Sequence, residues 1–174
     1  IFNTGLYHTS QTSFGIYQEK LGSIERDRYG KDADNLELRL MDPTQALLDL
    51  YTLQEKLGTL SGHTVLIVGD IAASRVARSN MLAMRKLGMQ VCVCGPRTML
   101  PVGIEQMGVE CTSDFDAALQ GADAVMMLRI QRERHGEVLF PSLQEYSERY
   151  CLTAERLRRA KSGVLVMHPA SMNR

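Results

Sequence analysis

Three short segments place side chains able to hold an anion directly after apolar runs. They are Gly69-Asp70-Ile71-Ala72-Ala73-Ser74-Arg75, Leu128-Arg129-Ile130-Gln131-Arg132-Glu133-Arg134 and Met167-His168-Pro169-Ala170-Ser171-Met172. A guanidinium fork binds a carboxylate through two parallel hydrogen bonds, so two arginines on neighbouring strands suit a dicarboxylate better than a neutral ligand. Arg129 and Gln131 face the same way if their strand extends by two residues. Arg75 falls in the first turn of a helix, where its charge opposes the helix dipole, and a cation kept there suggests an anion beside it. A surface carboxylate paired with an outward-pointing Arg75 is an equally weighted explanation. Arg132, Glu133 and Arg134 read as a solvated charge run, within which Glu133 could orient a neighbouring arginine. His168 is a candidate polar contact, although a histidine before proline with no partner at fixed spacing is more often structural.

These segments need a scaffold that brings them to one place. Continuous apolar runs at 64–69, 91–94, 109–111, 124–128 and 163–167 predict strands buried on both faces. Between them, 74–87, 100–107, 115–120 and 153–160 predict helices, with Gly88 and Gly108 closing the first two. Asp42-Pro43-Thr44-Gln45 combines a favoured N-cap, proline at the first helical position and a glutamine able to close a capping box. A helix over 42–57 follows, ended by Gly58. Alternating strands and helices predict an α/β fold: a doubly wound, Rossmann-like parallel sheet of about five strands with helices on both faces. Ligands then bind outside the carboxyl ends of the strands, where the three polar segments fall. The turn at Gly69 lacks the second and third glycines that let backbone approach a pyrophosphate, which argues against a nicotinamide dinucleotide and a redox role.

With 174 residues, 44% of them hydrophobic, the chain has material for one principal core. Twenty Lys and Arg balance twenty Asp and Glu, leaving no basic excess for nucleic acid. No apolar run approaches the roughly 20 residues of a membrane span. Ile1-Phe2-Asn3-Thr4 has no signal-peptide character, so a soluble, cytoplasmic protein is expected. Cys92, Cys94, Cys111 and Cys151 read as reduced thiols acting as small buried hydrophobes. The scattered His8, His63, His135 and His168 give no zinc-binding pattern, so no metal site is expected. Residues 1–41 stay unassigned: only Leu36, Leu38 and Leu40 alternate as a half-buried strand would.

Taken together, Asp42-Pro43-Thr44-Gln45-Ala46-Leu47-Leu48-Asp49, Gly69 to Asn80, Leu128 to Arg134 and His168-Pro169-Ala170-Ser171-Met172-Asn173-Arg174 resemble the aspartate/ornithine carbamoyltransferase family in order and spacing. The resemblance is to the aspartate side of the family, because the ornithine enzymes typically carry a cysteine after the histidine of the last loop. It covers residues 42–174 as an aspartate-binding lobe, with 42–57 as the inter-lobe helix. It implies carbamoyl transfer from carbamoyl phosphate to L-aspartate, giving N-carbamoyl-L-aspartate and phosphate in pyrimidine biosynthesis, with no cofactor. By the same resemblance Arg75 binds the α-carboxylate of aspartate, Arg129 and Gln131 its side-chain carboxylate, and Gln45 the carbamoyl amino group. His168 and Pro169 close over the reacting centre and offer backbone carbonyls to the amine. A homotrimer with sites between subunits is implied as well.

Three motif positions depart from the family pattern. Asp42 replaces a histidine that supports the carbamoyl carbonyl, and an ionised carboxylate cannot donate that hydrogen bond. Ala73 stands where a histidine is common, and Ser171 where a second proline shapes the loop. Residues 1–41 contain no Ser-x-Arg-Thr-Arg phosphate loop, and His8-Thr9-Ser10 offers hydroxyls without an arginine. The alternative expectation is a non-catalytic paralogue or fragment that binds an amino acid or a partner subunit through the same lobe.

Overall fold

The computed structural model describes residues 2–3, 43–130 and 142–169. The five apolar runs become β2 (Thr64–Val68), β3 (Gln90–Cys94), β4 (Glu110–Thr112), β5 (Ala124–Met127) and β6 (Leu165–His168), preceded by a two-residue strand β1 (Phe2–Asn3). Every pairing is parallel, in the order β1-β6-β5-β2-β3-β4. This is the doubly wound parallel sheet expected from the sequence, with one extra edge strand. Phe2 and Asn3 lie opposite Met167 and His168, and two residues are too few to show strand periodicity.

The helices are α1 (Pro43–Leu57), α2 (Arg75–Lys86), α3 (Phe115–Gly121), α4 (Leu143–Tyr150) and α5 (Ala154–Leu157). Side chains alternate across β2, so Val65 and Ile67 join Leu47, Leu50, Leu53, Met81 and Met84 on one face of the sheet. Leu66 and Val68 join Phe115, Leu119 and Tyr150 on the other. All four strand residues are fully buried, which is why β2 reads as an unbroken apolar run. Each such burial contributes about 1.5–3 kcal/mol before the entropy of ordering is set against it.

Helix starts follow one local rule. Ser74, Asp114, Ser142 and Thr153 each accept a hydrogen bond from the backbone N–H three residues on, satisfying a donor that the first helical turn leaves open. The expected N-cap at Asp42 lies outside the described residues, as do the Leu36, Leu38 and Leu40 pattern and the 132–134 charge run.

Three expectations need correction. The helix expected over 100–107 is replaced by two short 3-10 turns, Arg97–Met99 and Ile104–Met107. Pro101 has no N–H to donate, and Gly103 adopts the left-handed conformation (φ 77°), so a continuous helix cannot pass. The helix expected over 153–160 is regular only across Ala154–Leu157. Helix α4 was not expected at all, although Ser142-Leu143-Gln144-Glu145 carries the capping-box spacing of a helix start.

Candidate functional site

Strand β2 has β3 on one side and β5 on the other, so the chain winds outward through β3 and β4 and then returns across β2 to continue through β5 and β6. The crevice at the carboxyl ends of β2 and β5 is therefore the switch point of the sheet, where this topology leaves room for a ligand. Two backbone bonds close its floor: Leu128 N donates to Val68 O at 2.8 Å, and Gly69 N to Cys94 O at 3.0 Å. Gly69 has φ 128°, and a Cβ there would come within 2.9 Å of the Leu128 carbonyl oxygen and 3.3 Å of Tyr146 Oη. Only glycine fits this seam.

From Gly69 the chain makes a tight loop into α2. Ala73 N donates to Asp70 Oδ1 at 3.3 Å, Ala72 N to Met99 O at 2.9 Å, and Ser74 Oγ accepts from Ala77 N at 3.1 Å. Asp70 is fully buried and Ser74 nearly so, which fixes the first turn of α2. Arg75 opens that turn and is exposed. None of the ion pairs among the described residues uses it, so no described surface carboxylate neutralises Arg75. By contrast Arg156 donates to Asp116 at 3.0 Å and lies over the Phe115 ring at 5.3 Å, as a structural arginine would.

Across the crevice, Arg129 follows the end of β5 by two residues and is half-buried. Arg75 thus opens the helix that follows β2, and Arg129 lies two residues past β5, the strand that pairs with β2. Gln131 lies outside the described residues, and so do Asp42 and Ser171. His168 ends β6, next to β5, and it and Pro169 are half-buried at the same edge. Ala73 is half-buried in the loop before Arg75. Gln45 sits in the first turn of α1, half-buried, and its Nε2 donates to Asp49 Oδ1 at 3.0 Å.

Sequence reasoning missed two participants. Tyr146, from the unexpected α4, brings its hydroxyl over Gly69. Burial raises its pKa, and the nearby Asp70 carboxylate raises it further, so it remains a neutral hydroxyl. Asp49 is the other: it is fully buried and accepts from both Gln45 and Asn80. The buried polar side chains among the described residues are Asp49, Asp70, Ser74, Ser79 and Asn80, all on α1, the loop after β2 or α2. Buried polar groups are costly unless bonded, and hydrogen bonds hold Asp49 to Gln45 and Asn80, Asp70 to Ala73 N and Ser74 to Ala77 N.

Further along the same edge an open cleft of about 570 Å³ lies at the ends of β3 and β4, lined in part by Arg97, Glu105, Thr112 and Ser113. None of the candidate residues lines it. The cysteines divide by position. Cys94 is buried and its thiol is pushed up to about 12, chiefly by burial; Cys92 rises to about 11 for the same reason. They act as small hydrophobes, whereas Cys151 is exposed and does not.

Comparison with known proteins adds an independent line. Residues 61–174 match the family model described as aspartate/ornithine carbamoyltransferase, Asp/Orn binding domain. The aspartate carbamoyltransferase catalytic subunit of Syntrophotalea carbinolica is 56% identical over 132 residues, covering 76% of this chain and 42% of the relative. That of Myxococcus xanthus is 53% identical over the same length, covering 76% and 44%. Among solved structures, Trypanosoma cruzi aspartate transcarbamoylase in complex with N-(phosphonacetyl)-L-aspartic acid superposes with a TM-score of 0.64 at 29% identity, over 76% of this chain and 46% of that one. The chain therefore spans less than half the length of the relatives it matches.

Proposed function

This chain belongs to the aspartate/ornithine carbamoyltransferase family, and we propose that it forms the aspartate-binding half of an enzyme that carbamoylates L-aspartate. In that reading carbamoyl phosphate is the donor, N-carbamoyl-L-aspartate and phosphate are the products, and the reaction serves pyrimidine biosynthesis. The observation that supports it is that Arg75 and Arg129 follow the adjacent strands β2 and β5, with no described carboxylate pairing Arg75.

The reading assigns the α-carboxylate of aspartate to Arg75 and the side-chain carboxylate to Arg129, assisted by Gln131. Two bidentate forks fix both ends of a short dicarboxylate and leave the amine between them as the only part free to move. Gln45 takes the amino group of the carbamoyl moiety, and the backbone carbonyls at His168 and Pro169 accept from the attacking amine. Rate then comes from bringing two anions into attack geometry and offsetting their charge, without a covalent intermediate. The reading treats 42–174 as the aspartate lobe and 42–57 as the helix that leads to the other lobe. It also expects a homotrimer in the cytoplasm, with sites shared between subunits. No helix among the described residues is long and apolar enough to cross a membrane.

The test is formation of carbamoyl aspartate from carbamoyl phosphate and aspartate by the full-length polypeptide. Product above the enzyme-free rate is expected, and its absence would defeat the catalytic reading. A second reading has a specific observation behind it: Asp42 stands where the family uses a hydrogen-bond donor. If aspartate binds and no product forms, the chain is a non-catalytic amino acid binder.

A further inference from the structure

Asp49 lies on α1 four residues after Gln45, directly beneath it on the same helical face. Its carboxylate is fully buried, with Oδ1 accepting from Gln45 Nε2 at 3.0 Å and Oδ2 from Asn80 Nδ2 at 2.7 Å. Asn80 is itself fully buried on α2, six positions along from the Ser74 cap and in the same helix as Arg75. The carboxylate thus ties the helix carrying Gln45 to the helix carrying Arg75.

A carboxylate can only accept hydrogen bonds, so it decides which end of each neighbouring amide faces it. Asn80 shows how strong that demand is. Its Nδ2 goes to Asp49 and also lies 3.4 Å from Met126 Sδ, while its buried Oδ1 is left without a partner. An amide that keeps its nitrogen on Asp49 at the cost of an orphaned oxygen is oriented by that carboxylate. The same constraint acts on Gln45. With Nε2 committed to Asp49, the carbonyl oxygen becomes the end of the amide that faces away.

We propose that Asp49 is a positioning residue that sets the amide of Gln45 so that its carbonyl oxygen accepts from the amino group of the carbamoyl substrate. This rests on the role assigned to Gln45 above. Asp49 touches no substrate; it acts through Gln45, and Asn80 holds it in place from α2. The substitution Asp49→Asn removes the constraint at equal size, because the new amide could donate to Gln45 and turn the Gln45 nitrogen outward.

The experiment has two arms on the full-length polypeptide. In the first, Asp49→Asn is expected to lower kcat/KM for carbamoyl phosphate by about 10- to 100-fold, the size expected when the carbamoyl amino group is left facing a donor with no acceptor. Aspartate affinity is expected to change by less than about twofold, since Arg75 and Arg129 are retained. In a Gln45→Ala background the same substitution is expected to alter kcat/KM by less than about twofold. An equal loss in both backgrounds would show that Asp49 is merely structural and would overturn the proposal. The second arm needs neither a variant nor activity: NMR hydrogen exchange of the Gln45 side-chain amide in the wild type. Slow exchange is expected for an N–H bonded to a buried carboxylate. Exchange at the rate of a free glutamine would sink the positioning role. A wild type that makes no carbamoyl aspartate defeats the functional reading alone, and the exchange rate still decides the orientation of Gln45.

Discussion

At the amino ends of β2 and β5 a single carboxylate is shared by several donors. Asp123 accepts from Thr64 N and Lys161 Nζ, each at 2.8 Å, and His63 Nδ1 lies 3.4 Å away. Its backbone also joins the strands, with Asp123 N donating to Thr64 O and Leu165 N donating to Asp123 O. At the carboxyl ends of the same strands the pattern reverses: Arg75 pairs with no described carboxylate, and the buried polar groups hold loops and amides in set orientations. One edge has its charges matched within the fold, as a clamp does. At the other, Arg75 has no carboxylate partner among the described residues. The contrast teaches where to test for a ligand: at the end of the sheet where Arg75 is unmatched among the described residues, and not at the end where the charges are matched.

Arg129→Ala is expected to separate the two edges most widely. Losing a bidentate contact removes two charge-assisted bonds of about 1.5–3 kcal/mol each, so aspartate affinity should fall roughly a hundred-fold or more. Thermal stability should hardly move, because the side chain is only half-buried. Calorimetric titration and a melting curve check both halves, and a large drop in Tm with binding intact would break the comparison. Gly69→Ala should strike binding and stability together, since the new Cβ meets the Leu128 carbonyl at 2.9 Å with φ at 128°. A cost of about 1–3 kcal/mol is expected from such strain, with aspartate affinity reduced as β5 is pushed away from β2. Unchanged melting would mean that the seam is looser than its geometry requires.

The sheet edge was legible because buried parallel strands leave a simple mark: unbroken apolar runs such as 64–68 and 124–127, each followed by a polar segment. The positions of Arg75 and Arg129 after β2 and β5 could be placed from that mark alone. The Asp49 network could not, because Gln45, Asp49 and Asn80 come together only when α1 packs on α2, and no local spacing records a contact between residues 31 apart. Tyr146 was missed for another reason. Its helix α4 buries only Tyr150 fully, so its apolar period is weak, and the capping signal at Ser142 was the better guide. No helix forms over 100–107 because Pro101 and Gly103 interrupt the backbone whatever the side chains prefer.

The smallest effect is expected at the clamp, and it sharpens the comparison by acting on stability alone. Burial disfavours the charged form of Asp123, but hydrogen bonds from Lys161, Thr64 and His63 outweigh it and hold the carboxyl below the usual range. A lowered pKa in the folded state means that the unfolded chain binds the proton more readily. The clamp therefore stabilises the fold above the ordinary carboxylate pKa of about 4, and its contribution is lost as pH falls through the lower folded value. Asp123→Asn should cost about 1 kcal/mol near neutral pH, a fall in Tm of about 2–4 °C for a chain of this length. Between about pH 6 and about pH 3 the gap between wild type and variant should narrow, because the wild type loses the charge that the variant never had. Aspartate affinity at neutral pH should stay within about twofold, since the clamp sits at the far end of the strands from Arg75 and Arg129. A variant that melts normally but binds aspartate poorly would show that the two edges are coupled through the sheet.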